Sequence, residues 1–393
     1  SQRLSFKDVK RNFIMRVVTA IDSFKGSMTS IEAGKAVADG IHRVDSSVEV
    51  IVRPLADGGE GTVEALAAGM QGQVKKVNVT GPRGKTVECS YFIIEESNTA
   101  VIEMSGASGI TLITEEEKNP LHTTTYGLGE VIRDAINQGC RSFIIGIGGS
   151  ATNDAGIGML QALGFGLLDK DGKQARYGAL GVKDVVSITT DAVVPELKDC
   201  YFKVACDVTN PLCGANGCSA VYGRQKGATP EMIKDMDVWL GNFSGLTATL
   251  FEKANPEYPG AGAAGGLGFA FQTFLNSQLD SGVEIVLEAT KLEQFIREAD
   301  LVVTGEGKLD YQTSMGKAPI GVAKLAKKYG KPVIAFAGSV KQEAIACNQK
   351  GIDAYFSILQ RICTLEEAMN SEVAKENLAD TAEQVYRLYN LSI

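Results

Sequence analysis

Apolar positions first recur along the chain as short β-branched runs separated by helical patterns. Residues 16–20 (RVVTA) predict a strand. A loop follows at 22–27, and Thr29 or Ser30 stands where it can cap a helix running to about Val44. Residues 48–52 repeat the strand pattern, Pro54 closes it, and Thr62 is placed to cap a helix over 63–70. Strand, helix, strand, helix is the opening of a parallel α/β sheet. The pattern then changes, because 74–79, 86–94 and 100–103 read as consecutive strands of a meander. A helix over 126–137 leads into a strand at 142–147, and a further strand is expected at 201–205. Alternation resumes with strands at 301–303, 333–336 and 354–358 and helices over 317–329 and 341–348. The chain closes in an amphipathic helical tail, 365–391. The economical topology joins the first two strands to the last three in a five-stranded, doubly wound parallel sheet. A second, mixed α/β domain is then inserted. The expected division is 15–66 plus 300–393 for the outer domain, 67–299 for the insertion and 1–14 for an N-terminal extension.

Composition narrows the class. At 393 residues the chain is too long for one core, and its 44% hydrophobic and 22% charged content is that of an ordinary globular protein. A net charge of −8 argues against nucleic acid or an anionic membrane as partner. No apolar run approaches the ~18 residues of a spanning helix. Eight cysteines and two histidines, without paired C-x2-C spacing, suit buried thiols in a reducing cytoplasm better than a disulfide scaffold or a zinc site. The first fourteen residues lack the apolar core of a secretory signal. Glycine is the informative excess, 44 of 393 against a usual ~7%.

Those glycines gather in loops that follow predicted strands, where ligands of open α/β sheets bind. A cleft between the two domains is therefore expected to hold the chemistry. In the first loop (DSFKGS), Ser23 and Ser27 offer donors and Lys25 a mobile cation. In the second, Asp57 and Glu60 stand among Gly58, Gly59 and Gly61, acids that suit Mg²⁺ with phosphate oxygens or, at Asp57, the proton of an attacking hydroxyl. The third, Gly148, Gly149, Ser150, Ala151, Thr152 and Asn153, can cradle phosphate with backbone N–H groups and hydroxyls. Asp207 and Asn210 lie just past another strand, and Glu306, Asp310 and Lys317 past a third. The literal G-x-G-x-x-G at 260–265 follows a loop and lacks the strand its dinucleotide role requires, leaving a phosphate-side loop or small-residue packing open. No Walker phosphate loop or protein-kinase pattern occurs.

Taken together, DSFKGS (22–27), ADGGEGT (56–62), GIGGSATND (146–154), CDVTNPLCG (206–214), GAGAAGGLG (260–268) and TGEGKLDYQT (304–313) resemble the bacterial type-1 glycerate kinases, in register from about Met15 to the C-terminus. The resemblance implies a discontinuous flavodoxin-like domain with an inserted α/β domain. It also implies ATP-dependent phosphorylation of D-glycerate to 2-phosphoglycerate. The cysteines already suit a cytoplasmic enzyme, and its oligomeric state, a homo-oligomer included, stays open. On that footing Gly148 to Asn153 would take the nucleotide phosphates. Lys25 with Ser23 would hold glycerate's carboxylate or the moving phosphoryl group. Asp57 and Glu60, with Asp207 as competitor, would bind Mg²⁺ or act as base. Gly58 and Gly59 would approach the substrate, and Glu306, Asp310 and Lys317 would line the opposite wall. A kinase for another short hydroxy acid, a nicotinamide-dependent oxidoreductase and a non-catalytic small-molecule binder are the alternatives.

Overall fold

The computed structural model describes residues 14–391, so the extension expected over 1–14 lies, but for Ile14, outside the described residues. Two compact units emerge, one taking the chain through Asp57 and again from Val286, the other residues 58–285. The first unit begins with β1 (Arg16–Ile21) and β2 (Glu49–Pro54). The second holds β3 (Gly72–Thr80), β4 (Thr86–Ile94), β5 (Thr99–Glu103), β6 (Ser142–Gly146), β7 (Gly166–Leu168), β8 (Ser187–Thr189), β9 (Tyr201–Ala205) and β10 (Ser277–Asp280). β11 (Leu301–Leu309), β12 (Val333–Val340) and β13 (Ala354–Ser357) return to the first.

In the first unit the strands lie in the order β2-β1-β11-β12-β13, all parallel, which is the flavodoxin-like order. Central strands of such a sheet are covered on both faces and so are apolar throughout. β1 obeys this, with every residue after Arg16 buried. The helix Ser30–Val44 starts at a capping box: Thr29 Oγ1 accepts from the Glu32 amide at 3.2 Å, and Glu32 Oε2 accepts from the Thr29 amide at 2.9 Å. Ser30, one residue into that helix, ties two strand ends together. Its hydroxyl donates to the Ile21 carbonyl at 2.6 Å and accepts from the Leu55 amide at 2.9 Å.

Three elements of this unit depart from expectation. The strand expected at 301–303 continues to Leu309, because β1 pairs with it through Gly305 and β12 through Leu309. Past Gly305 the β12 ladder alone holds the glycine-rich stretch extended, and Glu306, opposite Ala337, is therefore a strand residue. The helix expected over 341–348 forms as tighter 3₁₀ turns, Gln342–Lys350. The helical tail divides into Leu365–Met369 and Ser371–Asn390, because Asn370 Oδ1 accepts from the Glu372 and Val373 amides and starts a new helix.

The second unit is built on a mixed sheet, β10-β9-β6-β5-β4-β3, parallel from β10 to β5 and antiparallel from β5 to β3. Its core includes Phe143 and Phe202, stacked with ring centroids 4.7 Å apart. The helix Thr62–Gly69 is not capped by Thr62, whose hydroxyl donates instead to the Gly59 carbonyl at 2.8 Å. The Glu103 carboxylate serves that helix end, accepting from the Val63 amide at 2.7 Å.

Candidate active site

Within the first unit, a cavity of about 480 Å³ opens at the carboxyl-terminal ends of β1 and β11. These two strands flank the point where the strand order reverses, the usual ligand position of this fold. Asp22, Ser23, Lys25, Asp57, Glu306 and Lys317 face it, with Leu359, Leu365 and Met369 on an apolar wall. The loop after β1 reverses tightly: the Phe24 amide donates to the Met28 carbonyl at 2.9 Å, and the Ser27 amide to the Phe24 carbonyl at 2.8 Å. The turn requires φ of +78° at Gly26, which only glycine adopts freely, and it leaves Lys25 exposed at the tip. Ser30, by joining the ends of β1 and β2, holds Asp22 and Asp57 on one wall.

The electrostatics of this cavity are unusual for a solvated turn. Burial, with Asp57 alongside, pushes the Asp22 carboxyl up to about 7, against the opposing pull of the Ser23 amide and Lys25. Burial also raises Glu306, opposed by the Thr313 hydroxyl and Lys317. Thr313 donates to Glu306 and fixes it on the strand. Asp310 has a different occupation. It caps the turn Tyr311–Ser314 by accepting from the Thr313 amide at 3.2 Å and pairs with Lys308 at 3.2 Å. Burial alone would raise its carboxyl, but Lys308, the Thr313 amide and Lys317 hold it low. Of the residues expected in the site, Ser23, Lys25, Asp57, Glu306 and Lys317 are thus brought to one cavity, while Asp310 sits outside its lining.

The remaining candidates belong to the second unit. Gly58 packs beside the ends of β6 and β9, where a Cβ on it would meet Ala205 at 2.7 Å and a Cβ on Gly146 would meet the Gly58 carbonyl at 2.3 Å. Asp207, exposed two residues past β9, accepts from the Gly282 amide at 3.2 Å. Gly59 is half-buried and Glu60 exposed. In the loop after β6, Gly148 and Gly149 are exposed, whereas Ser150, Ala151, Thr152 and Asn153 are buried. Their polar atoms turn inward. Asn153 Nδ2 donates to Ser219 Oγ at 2.8 Å, and the Ala151 carbonyl accepts from Thr123 Oγ1 at 2.8 Å. Lys226 Nζ donates to Ser150 Oγ at 2.8 Å and to the Thr152 carbonyl at 2.6 Å. Asp154, fully buried, accepts from the Thr125 amide and hydroxyl, both at 2.9 Å, and from the Gly156 amide at 3.0 Å.

The family model described as the glycerate kinase family matches residues 17–390. The chain belongs to the glycerate kinase family. It is 46% identical to the glycerate kinase of Halalkalibacterium halodurans, over 92% of this chain and 97% of that protein. It is 45% identical to the glycerate 2-kinase of Escherichia coli K12, over 93% and 98% of the two chains. A crystal structure of a Salmonella typhimurium LT2 protein described as a glycerate kinase 2 superimposes with a TM-score of 0.90 at 44% identity, covering 97% of this chain and 99% of that one.

In this member of the glycerate kinase family, the glycine run at 260–266 has no strand before it and serves packing. Ala264, Gly265 and Gly266 all have positive φ, and the Gly265 carbonyl accepts from the Ala155 amide at 2.9 Å. A Cβ on Gly265 would lie 2.0 Å from the Thr152 carbonyl. The sequence reading named neither Asp22 as an acid of the site nor Lys226 and Thr123–Thr125 as supports of the glycine loop. Asp22 was visible as the first letter of DSFKGS, but its burial was not. Lys226, 74 residues from Thr152, carried no local signal at all.

Proposed function

We propose that this chain transfers the γ-phosphoryl group of ATP to D-glycerate, giving 2-phosphoglycerate. The carrying observation is the cavity of the first unit, where three carboxylates and three lysines, Lys25, Lys308 and Lys317, converge at the strand-order reversal of a glycerate kinase family fold. The name of the E. coli relative supports position 2 as the acceptor. Phosphoryl transfer asks the protein mainly for positioning and charge neutralisation. Lys25 and Lys317 are exposed cations suited to glycerate's carboxylate and the moving phosphoryl oxygens, with Ser23 in the same cavity lining as a donor. A carboxyl held near 7 is well matched to accept the proton of the attacking hydroxyl, which makes Asp22 a base candidate together with Asp57.

Carboxylate oxygens suit Mg²⁺, and Asp57, with Asp22 or Glu60, would hold it. Among the described residues no set of three potential ligands forms a metal cage. Phosphate oxygens and water would then complete the shell, as Mg²⁺ prefers, and the ion would neutralise phosphate charge. The exposed residues Gly148 and Gly149 would receive the nucleotide phosphates on their amides, with residues 150–153 shaping that loop from within. All eight cysteines are free thiols, which supports a reducing, cytoplasmic setting.

A second reading is a kinase for a larger short-chain hydroxy acid, favoured by the apolar wall of Leu359, Leu365 and Met369. Incubating the protein with ATP, Mg²⁺ and a panel of hydroxy acids, with ³¹P NMR of the products, tests both. Formation of 2-phosphoglycerate as the preferred product is expected. Preferential phosphorylation of a larger acid would move the assignment to the second reading, and no new phosphorus resonance with any acid would overturn both.

A further inference from the structure

Lys226 is an uncommon residue to find inside a protein, because burying an ammonium costs far more than its hydrogen bonds usually return. It is 2% exposed, and its Nζ is spent on two atoms of a single segment, Ser150 Oγ and the Thr152 carbonyl. Burial lowers it to about 8, with Cys218 and Asp154 pulling the other way. Around it, nearly every polar contact of the segment points inward: the Ala151 amide donates to the Ser108 carbonyl at 3.0 Å, and the Ile110 amide to the Gly149 carbonyl at 2.9 Å. The carbonyls of Gly149, Ala151 and Thr152 are therefore all drawn into the protein. A backbone whose carbonyls are held inside keeps lone pairs away from an approaching anion. Gly149, with φ of +73°, supplies the reversal that such a loop needs.

We propose that Lys226 is a positioning residue for the nucleotide: from beneath, it sets the conformation of residues 148–152 so that their exposed side accepts the phosphates of ATP. The proposal rests on the reading of that loop as the phosphate site. Lys226 would touch no phosphate itself. Its ammonium replaces, in the interior, the side-chain contacts that a flexible glycine loop lacks.

The test uses the full chain and Lys226→Met, which keeps the length of the side chain and removes its donors. The expected result is a rise of about 10- to 100-fold in KM for ATP, the scale at which a displacement of about 1 Å is felt. KM for D-glycerate should stay near the wild-type value, and a non-hydrolysable ATP analogue should weaken in parallel by calorimetry. A folded Lys226→Met with unchanged KM for ATP, or with both KM values raised together, overturns the proposal. Should that variant not fold, Ser150→Ala removes one anchor only. A rise of about fivefold in KM for ATP is then expected, and no rise overturns it. Gly148→Val tests the loop reading separately, since a Cβ there meets no atom within 4 Å. If Gly148→Val raises KM for ATP and Lys226→Met does not, only the role of Lys226 falls. If Gly148→Val has no effect, the phosphate-loop reading falls and the proposal with it.

Discussion

The loop after β1 carries an aspartate, two serines and a lysine, and the loop after β6 carries a serine, a threonine, an asparagine and an aspartate. Both follow a parallel strand, and each turns on a glycine of positive φ, Gly26 in the first and Gly149 in the second. In the first, the charged groups face a cavity, and Asp22, Asp57 and Glu306 share it although their charges repel. In the second, Ser150, Asn153 and Asp154 are buried and bonded within the unit, leaving two glycines at the surface. One loop presents polar side chains, and the other spends them on its own shape. Similar letters after a strand can thus mean reactive groups in one place and a rigid backbone in another. What separates the two is whether interior donors meet the side chains.

The largest test of this contrast removes the acids of the first loop. Asp22→Asn and Asp57→Asn should each lower kcat by a factor within about 10²–10⁴ if the carboxylate removed is the base, read by a coupled ADP-release assay. Asp207→Asn is the control from the second unit. If it alone abolishes turnover while both other variants keep near wild-type rates, the base lies past β9 and the contrast is reversed. Next in size is Asp154→Ala. It strands the Thr125 amide and hydroxyl and the Gly156 amide in the interior, so a loss of about 3–5 kcal/mol is expected in urea denaturation. Unchanged stability would mean that the second loop is not held by its buried acid. A smaller effect is expected for Ser30→Ala, which leaves the Leu55 amide without its acceptor, costing about 1–3 kcal/mol. Its activity should fall with it, since Asp22 and Asp57 follow the two strand ends that Ser30 joins. Full activity in Ser30→Ala would detach that bridge from the site.

The sequence made the contrast only half legible. The five parallel strands of the first unit could be read from β-branched runs, and the first loop from its short distance to β1, because those are local signals. Glu306 was read as a loop residue, since glycines on either side suggested a turn. Pairing of β11 with β12, which sets Glu306 opposite Ala337, keeps it on a strand. Ser150 to Asn153 were legible as polar groups near glycine but not as inward-facing ones. Their partners, Lys226, Ser219 and Thr123, come from other segments, and no period or spacing announces them. Asn370 shows the same limit on a smaller scale, a cap hidden in a helical pattern that continues on both sides.

The smallest effect is the most direct probe of the first loop. Asp22 has its carboxyl pushed up to about 7 by burial and by Asp57, against an ordinary value of about 4 in the unfolded chain. The folded protein therefore binds that proton more tightly than the unfolded one. The cost of ionising Asp22 is absent below about pH 4, grows as pH rises, and is complete above about pH 7. Asp22→Asn, which carries no charge, should escape that cost. It should be more stable than the wild type at pH 8, by on the order of 1–2 kcal/mol once solvent access to the cavity is allowed for. The gain should shrink steadily toward pH 4. Thermal denaturation at several pH values measures it, and a gain that is constant with pH would trace to packing and not to charge. A variant less stable at pH 8 would mean that Asp22 is a satisfied structural acid, as Asp154 is, and that the two loops do not differ in the way described. The gain in stability and the loss of turnover in one substitution would mark a group kept ionisable for chemistry at the expense of the fold.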